Sequence, residues 1–107
     1  MKFAVQRTAR PDGVCVAVAG EVDAYTAPEM REHLLDALRA HPVVIVELSA
    51  VEFMDSQGLA ALLRARQEAE SLGRSLRLDG VPVRVLKLLQ LTQLDSVFTI
   101  DATATGT

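Results

Sequence analysis

The segment Val43–Leu48 constrains the fold more strongly than its neighbours. It is a short run of β-branched and aliphatic residues in which apolar side chains do not alternate with polar ones. A strand of this kind is expected in a parallel sheet whose two faces are both covered. A helical pattern of apolar residues follows it and ends at Gly73, a residue type favoured just after the last helical turn. We therefore predict a central strand at 43–48 and a second helix at about 57–72.

Two short strands are predicted near the start of the chain. Residues 3–8 and 14–19 flank the segment Arg10-Pro11-Asp12-Gly13, in which proline presets one turn angle and glycine accepts a positive φ. This pattern predicts an N-terminal β-hairpin. Residues 20–23 are predicted to leave the second strand, and residues 49–55 to form a connection.

The remaining elements are predicted from periodicity and from helix-start signals. Thr26 and Glu29 have the spacing of a capping box, so the first helix should run from about 27 to 40. Three more elements follow, a strand at 75–78, a helix at 83–91 and a strand at 97–100. Alternating elements of this kind predict an α/β fold: a mixed, mostly parallel sheet after the hairpin, with three or more helices packed on it.

Length and composition indicate one intracellular domain. The chain has 107 residues, half of them apolar, so it can bury one core without metals or disulfides. We predict a domain over 1–101 and a flexible tail over 102–107, which contains only alanine, threonine and glycine. The net charge of -3, the scattered basic residues and the lack of a long apolar segment predict that the protein binds neither nucleic acid nor membrane. The single cysteine, Cys15, suits the reducing cytoplasm.

No pattern of catalytic or metal-binding residues is present in the sequence. His33 and His41 have no ligand spacing with Cys15, and no nucleophile elbow, Walker loop or Rossmann fingerprint occurs. We therefore predict a protein that is not an enzyme and that uses no metal and no cofactor.

The segment Phe53–Leu59 is unusual because polar residues follow an apolar pair directly at a predicted helix start. A phosphate added to Ser56 would find free backbone N–H groups and the positive end of the helix dipole there. Alternatively, Ser56 merely caps the helix, and Gly58 meets a packing requirement instead of keeping the first turn open. The residue chemistry leaves both interpretations open.

Several motifs resemble the STAS-domain anti-sigma factor antagonists of bacterial partner-switching systems. That family has a Gly-Glu-hydrophobe-Asp turn after the second strand, reproduced at 20–23, and a threonine before the first helix, here Thr26. It also has a Phe-Met-Asp-Ser-x-Gly-Leu segment, matched at 53–59. The ending at 89–94 is similar too, although Gln93 stands where glycine is usual. The resemblance covers nearly the whole chain and implies a STAS-like single domain.

The resemblance also implies a function for Ser56. This residue would be phosphorylated by an anti-sigma factor that is also a Ser/Thr kinase, and a PP2C-type phosphatase would remove the phosphate. The unphosphorylated protein would bind the anti-sigma factor and release the sigma factor. Gln57 replaces a second hydroxyl residue found in many members, which bears on kinase preference and leaves the acceptor intact.

The residues predicted to flank Ser56 or to contact the partner come from two parts of the chain. They are Asp23, Thr26, Asp55, Gln57 and Gly58. Both aspartates could instead serve only as caps of backbone amides. An alternative function is that of a STAS structural or adaptor subunit, in a stress-sensing assembly or a lipid-transport complex, where Ser56 need not be phosphorylated.

Overall fold

A computed structural model describes residues 2–103 and contains a five-stranded sheet with three helices. The elements are β1 (Ala4–Arg10), β2 (Gly13–Val22), α1 (Ala27–Ala40), β3 (Val43–Met54), α2 (Ser56–Leu72), β4 (Ser75–Asp79), α3 (Val83–Leu91) and β5 (Thr99–Ile100). The strand order is β1-β2-β3-β4-β5; β1 is antiparallel to β2, and all other neighbours are parallel. The predicted mixed, mostly parallel sheet after an N-terminal hairpin is confirmed.

Strand β3 is the central strand, as the run without alternation predicted. Val44, Ile45 and Val46 are all almost completely buried. Val44 and Val46 belong to the main core, whereas Ile45 lies on the other sheet face beside its β2 partner Cys15, which is also buried. Successive side chains of a strand point to opposite faces, so β3 is covered on both sides.

One core joins a single face of the sheet to the apolar sides of all three helices. Alternate residues of β2 and of β4 point into it, and each helix contributes a stripe of buried side chains. The helix residues include Met30, Leu34 and Leu38 of α1, Leu59, Leu62 and Ala65 of α2, and Val85 and Leu89 of α3. Because α2 is anchored by its own apolar stripe, the first turn of this helix is held at a defined place on the sheet.

Strands β2 and β3 both extend further than predicted. The predictions that 20–23 leave the second strand and that 49–55 form a connection are correct only for Asp23 and Asp55, because 20–22 belong to β2, 49–54 belong to β3, and 20–22 pair with residues of 51–54. The pairing ends with Val22 opposite Met54 and includes two register shifts. Pairing between segments about thirty residues apart is invisible in local periodicity, since neither segment alternates cleanly.

The last strand, β5, is shorter than predicted. It contains Thr99–Ile100, whereas the sequence pattern predicted 97–100. The amides of Val97 and Phe98 donate to the carbonyl of Leu94, at 3.0 and 3.3 Å, and so belong to the turn after α3. Hydrogen bonding within this turn therefore replaces sheet pairing at the start of the segment.

The predicted division into a domain over 1–101 and a tail over 102–107 stays a prediction. Within the described part of that tail, the carbonyl of Ala102 accepts a hydrogen bond from the amide of Val81 at 3.1 Å. Residues 104–107 lie outside the described residues.

Candidate functional site

Ser56 is the first residue of α2, and its side chain is exposed. Strand β3 ends at Met54, so only one residue separates the end of the central strand from this serine. The predicted location of Ser56, at the amino end of the second helix, is confirmed. Within residues 2–103 the Ser56 hydroxyl makes no hydrogen bond, and the residue is exposed, so its oxygen can be reached from solvent.

Asp55, and not Ser56, caps the helix. The Asp55 carboxylate accepts hydrogen bonds from the amides of Gln57 and Gly58, at 2.9 and 3.2 Å. This is the usual N-cap arrangement, in which a side-chain oxygen satisfies amides of the first turn that have no helical partner. The interpretation of Ser56 as the helix cap is therefore wrong.

The same cap changes the expected environment of a phosphate on Ser56. Two of the amides that were expected to be free for a phosphate already donate to Asp55. A third first-turn amide, that of Leu59, donates to the Asp55 carbonyl at 3.1 Å. A phosphate on Ser56 would consequently lie beside a carboxylate and compete with it for the amides. The expectation that such a phosphate finds free backbone N–H groups is therefore wrong.

Asp23 organises the turn between β2 and α1. Its carboxylate accepts from the amides of Tyr25 and Thr26, at 2.9 and 3.2 Å. The predicted capping box of Thr26 and Glu29 is wrong, because the Thr26 hydroxyl accepts from the Asp23 amide at 2.9 Å and donates to the Glu21 carbonyl at 2.8 Å. The threonine therefore stabilises the turn before the helix and does not cap the first helical turn.

The two predicted parts of the site meet at one end of the sheet. Val22 and Met54 are the last paired residues of two parallel strands, so the segments that follow them leave the same sheet edge. The amide of Asp55 also donates to the carbonyl of Val22 at 3.2 Å. This bond ties the start of α2 to the end of β2, next to the turn that carries Asp23.

Gly58 and Gln57 have different environments although they are adjacent. Gly58 is buried, and a Cβ atom placed on it would lie 2.7 Å from Cγ of Met54 and 2.8 Å from Cγ1 of Val22. The packing interpretation of this glycine is thus correct, and the idea that it keeps the first turn open is not. Gln57 is exposed and lines a groove between α1 and α2.

Tyr25, which no sequence pattern singled out, has a side chain that is 93% exposed. It is the chain's single tyrosine and lies in the turn held by Asp23. Phe53, at the end of β3, is also exposed to 45%. Exposed aromatic side chains are common at protein interfaces, and an aromatic residue placed in a turn outside any apolar periodicity was the available signal.

Within residues 2–103, no cluster of three or more histidine, cysteine, aspartate or glutamate side chains could hold a metal ion. None of the helices in this part of the chain is long and apolar enough to cross a membrane.

Comparisons with known proteins show the family and the fold of the chain. Residues 4–105 match the STAS domain family. The chain is 32% identical over 91 residues to the anti-sigma-B factor antagonist of Bacillus subtilis strain 168, an alignment covering 85% of this chain and 84% of that protein. An anti-sigma factor antagonist from Mycobacterium paratuberculosis has the same fold, with a TM-score of 0.83 and 24% identity over 92% of this chain and 85% of that one.

The Bacillus protein SpoIIAA shares the fold in two chemical states. Its unphosphorylated form matches with a TM-score of 0.77 and 21% identity, covering 95% of this chain and 90% of that one. Its phosphorylated form matches with a TM-score of 0.73 and 20% identity, covering 97% and 93%.

Proposed function

The chain belongs to the STAS domain family, and from this premise we propose that it is an anti-sigma factor antagonist controlled by phosphorylation of Ser56. The unphosphorylated protein binds an anti-sigma factor that is also a Ser/Thr kinase, and the sigma factor is released. The kinase phosphorylates Ser56 and binding ends. A PP2C-type phosphatase restores the active form. The protein acts in the cytoplasm by binding alone and catalyses no reaction.

The observation that carries this proposal is the free hydroxyl of Ser56. A kinase needs an accessible oxygen, and Asp55 takes over the capping role that would otherwise occupy a serine at a helix start. The similarity to an anti-sigma-B factor antagonist supports the nature of the partner. SpoIIAA, whose fold this chain shares, exists in an unphosphorylated and a phosphorylated form.

The physical basis of the switch is the cost of burying a charge. A phosphoserine carries roughly -1.5 to -2 charges. Binding at an interface fitted to a neutral hydroxyl would strip water from the phosphate without supplying new hydrogen bonds or opposite charges. Asp55 lies next to it and does not neutralise it. A hundredfold loss of affinity corresponds to about 2.7 kcal/mol, which is within the range of an uncompensated polar burial.

The test uses titration calorimetry to measure how tightly two Ser56 variants bind the anti-sigma factor kinase encoded in the source genome. Ser56→Ala should bind constitutively, and Ser56→Asp should bind about a hundredfold more weakly. Ser71→Asp is the matched control, since Ser71 is exposed near the opposite end of α2, and it should bind like the wild type. Equal affinities of the two Ser56 variants would refute the proposal.

Mass analysis after incubation with the kinase and ATP separates this function from that of a structural or adaptor subunit. We expect one phosphoryl group, located on Ser56. Thr92 is a poorer acceptor because its hydroxyl donates to the carbonyl of Leu88 at 2.7 Å. Phosphate on Ser49, Ser71 or Thr92 would contradict the assignment, and an unmodified protein would favour the adaptor role.

A further inference from the structure

A shallow groove runs between α1 and α2 beside the turn that starts with Ser56. Its volume is about 160 Å³, and alanines of both helices form much of its lining. Gln57 borders it, and so does Ala24, the neighbour of the exposed Tyr25. Two arginines, Arg31 from α1 and Arg64 from α2, complete its wall. We call it the α1–α2 groove.

Neither arginine of the α1–α2 groove forms an ion pair with an acidic side chain of residues 2–103. Other arginines of the same helices do have such partners: Arg39 pairs with Asp36 at 3.0 Å, and Arg66 pairs with Glu70 at 2.6 Å. Two guanidinium groups without an ion pair therefore line one groove in a chain whose net charge is -3. Two positive charges at one groove are complementary to a negatively charged partner.

We propose that the α1–α2 groove receives an acidic segment of the anti-sigma factor, whose carboxylates pair with Arg31 and Arg64. This inference rests on the proposed function and adds the chemistry of the partner's contact surface. Guanidinium groups bind carboxylates through two parallel hydrogen bonds, which makes arginine suited to this role. The alanines leave room for the partner chain to approach, and Tyr25 adds a residue type that is frequent at binding hot spots.

An acidic occupant also explains why a phosphate on Ser56 would be effective. Gln57 lies in the groove wall and directly follows Ser56, so a segment seated there comes close to the start of α2. A dianion at Ser56 then repels the same carboxylates that the arginines attract. Removal of the partner therefore needs no change in the shape of the groove.

The first experiment tests the groove without the anti-sigma factor. The isotope-labelled protein is titrated with a capped pentapeptide of glutamates and, separately, with one of glutamines. The glutamate peptide should shift the amide signals of Ala24, Gln57 and Ala60, with saturation, and Arg64→Glu should weaken its binding about tenfold or more. Arg74→Glu is the matched control, because Arg74 lies beyond the far end of α2 and also has no ion pair within the described residues. Shifts caused equally by the glutamine peptide, equal losses in both variants, or no shifts would overturn the inference.

Arg64 is exposed, so the charge reversal in Arg64→Glu should leave the amide spectrum of the free protein unchanged outside the neighbourhood of residue 64. A second arm measures binding of the anti-sigma factor kinase. If Arg64→Glu binds like the wild type while Ser56→Asp loses the kinase, the groove inference fails and the proposed function stands. If Ser56→Asp binds as well as Ser56→Ala while Arg64→Glu is weakened, the phosphorylation switch fails and the groove inference stands.

Discussion

Gly58, in the first turn of α2, packs so closely on Val22 that a Cβ atom on the glycine would lie 2.8 Å from Cγ1 of the valine. Val22 is fully buried at the end of β2, and its branched side chain has little freedom to move. The absence of a side chain at Gly58 therefore sets how near α2 can come to the sheet. Ser56 stands two residues earlier, so this contact also sets the position of the proposed phosphorylation site.

The first prediction is that Gly58→Ala destabilises the protein. The added methyl group must displace Val22 or Met54, and overpacking of this kind costs about 1–3 kcal/mol of the free energy of unfolding. Urea denaturation measures the loss. Gln67→Ala, at an exposed position of the same helix, should change the stability by less than about 0.5 kcal/mol. Unchanged stability of Gly58→Ala would mean that the helix shifts freely on the sheet.

The second prediction concerns the cap formed by Asp55. Asp55→Ala removes the acceptor for the amides of Gln57 and Gly58, which should cost about 0.5–2 kcal/mol. Asp55→Asn keeps an oxygen in the same place and should cost much less, because asparagine is a comparably good N-cap. Thermal and urea unfolding of both variants provide the measurement. If both substitutions destabilise equally, the charge of Asp55 and not its hydrogen bonding supports the helix.

The third prediction is that phosphorylation of Ser56 alters the surface without refolding the domain. Repulsion from Asp55 is weakened by salt at this exposed position, and the helix dipole favours a phosphate by about 0.3–1 kcal/mol. Both effects are small beside the ~5–15 kcal/mol that stabilise a domain.

Amide chemical shifts and melting temperatures of the two forms test this expectation. Changes should be confined to the region of Asp23, Asp55 and the first turn of α2. Changes across the whole sheet, or a melting temperature lowered by more than about 10 °C, would indicate a conformational switch, since about 4–8 °C per kcal/mol is expected at this size.

The fourth prediction follows from the burial of Cys15. Burial raises the pKa of its thiol. The charge of Arg10 lowers this pKa in part, and the carboxylates of Glu47 and Asp79 raise it further. The unfolded chain therefore ionises first as the pH rises, and the free energy of unfolding should fall above the ordinary thiol pKa of about 8.5. Stability measured from about pH 7 to pH 10 should decline less steeply in Cys15→Ala. Identical slopes would show that the cysteine titrates alike in both states.

The sequence was sufficient for features encoded within a few neighbouring residues. Helices α1 and α3 have the predicted bounds, although the capping box expected at the start of α1 is absent, and β3 lies at the centre of the sheet. Ser56 stands at a helix start, as its surroundings indicated. Each of these depends on a local pattern of apolar residues and on the chemistry of a helix end, so no knowledge of distant contacts was needed.

Contacts between segments distant in the chain could not be predicted from the sequence and are visible only in the tertiary structure. The extensions of β2 and β3 exist because they pair with each other, and that pairing places the Asp23 turn beside the start of α2. Thr26 has the spacing of a capping box in the sequence, but its hydroxyl donates to a carbonyl near the end of β2. Nothing in the local sequence distinguishes Arg31 and Arg64, and the packing of α1 beside α2 brings them to one groove. The reason is physical: strand register and helix packing are set by the whole core, and no single segment contains that information.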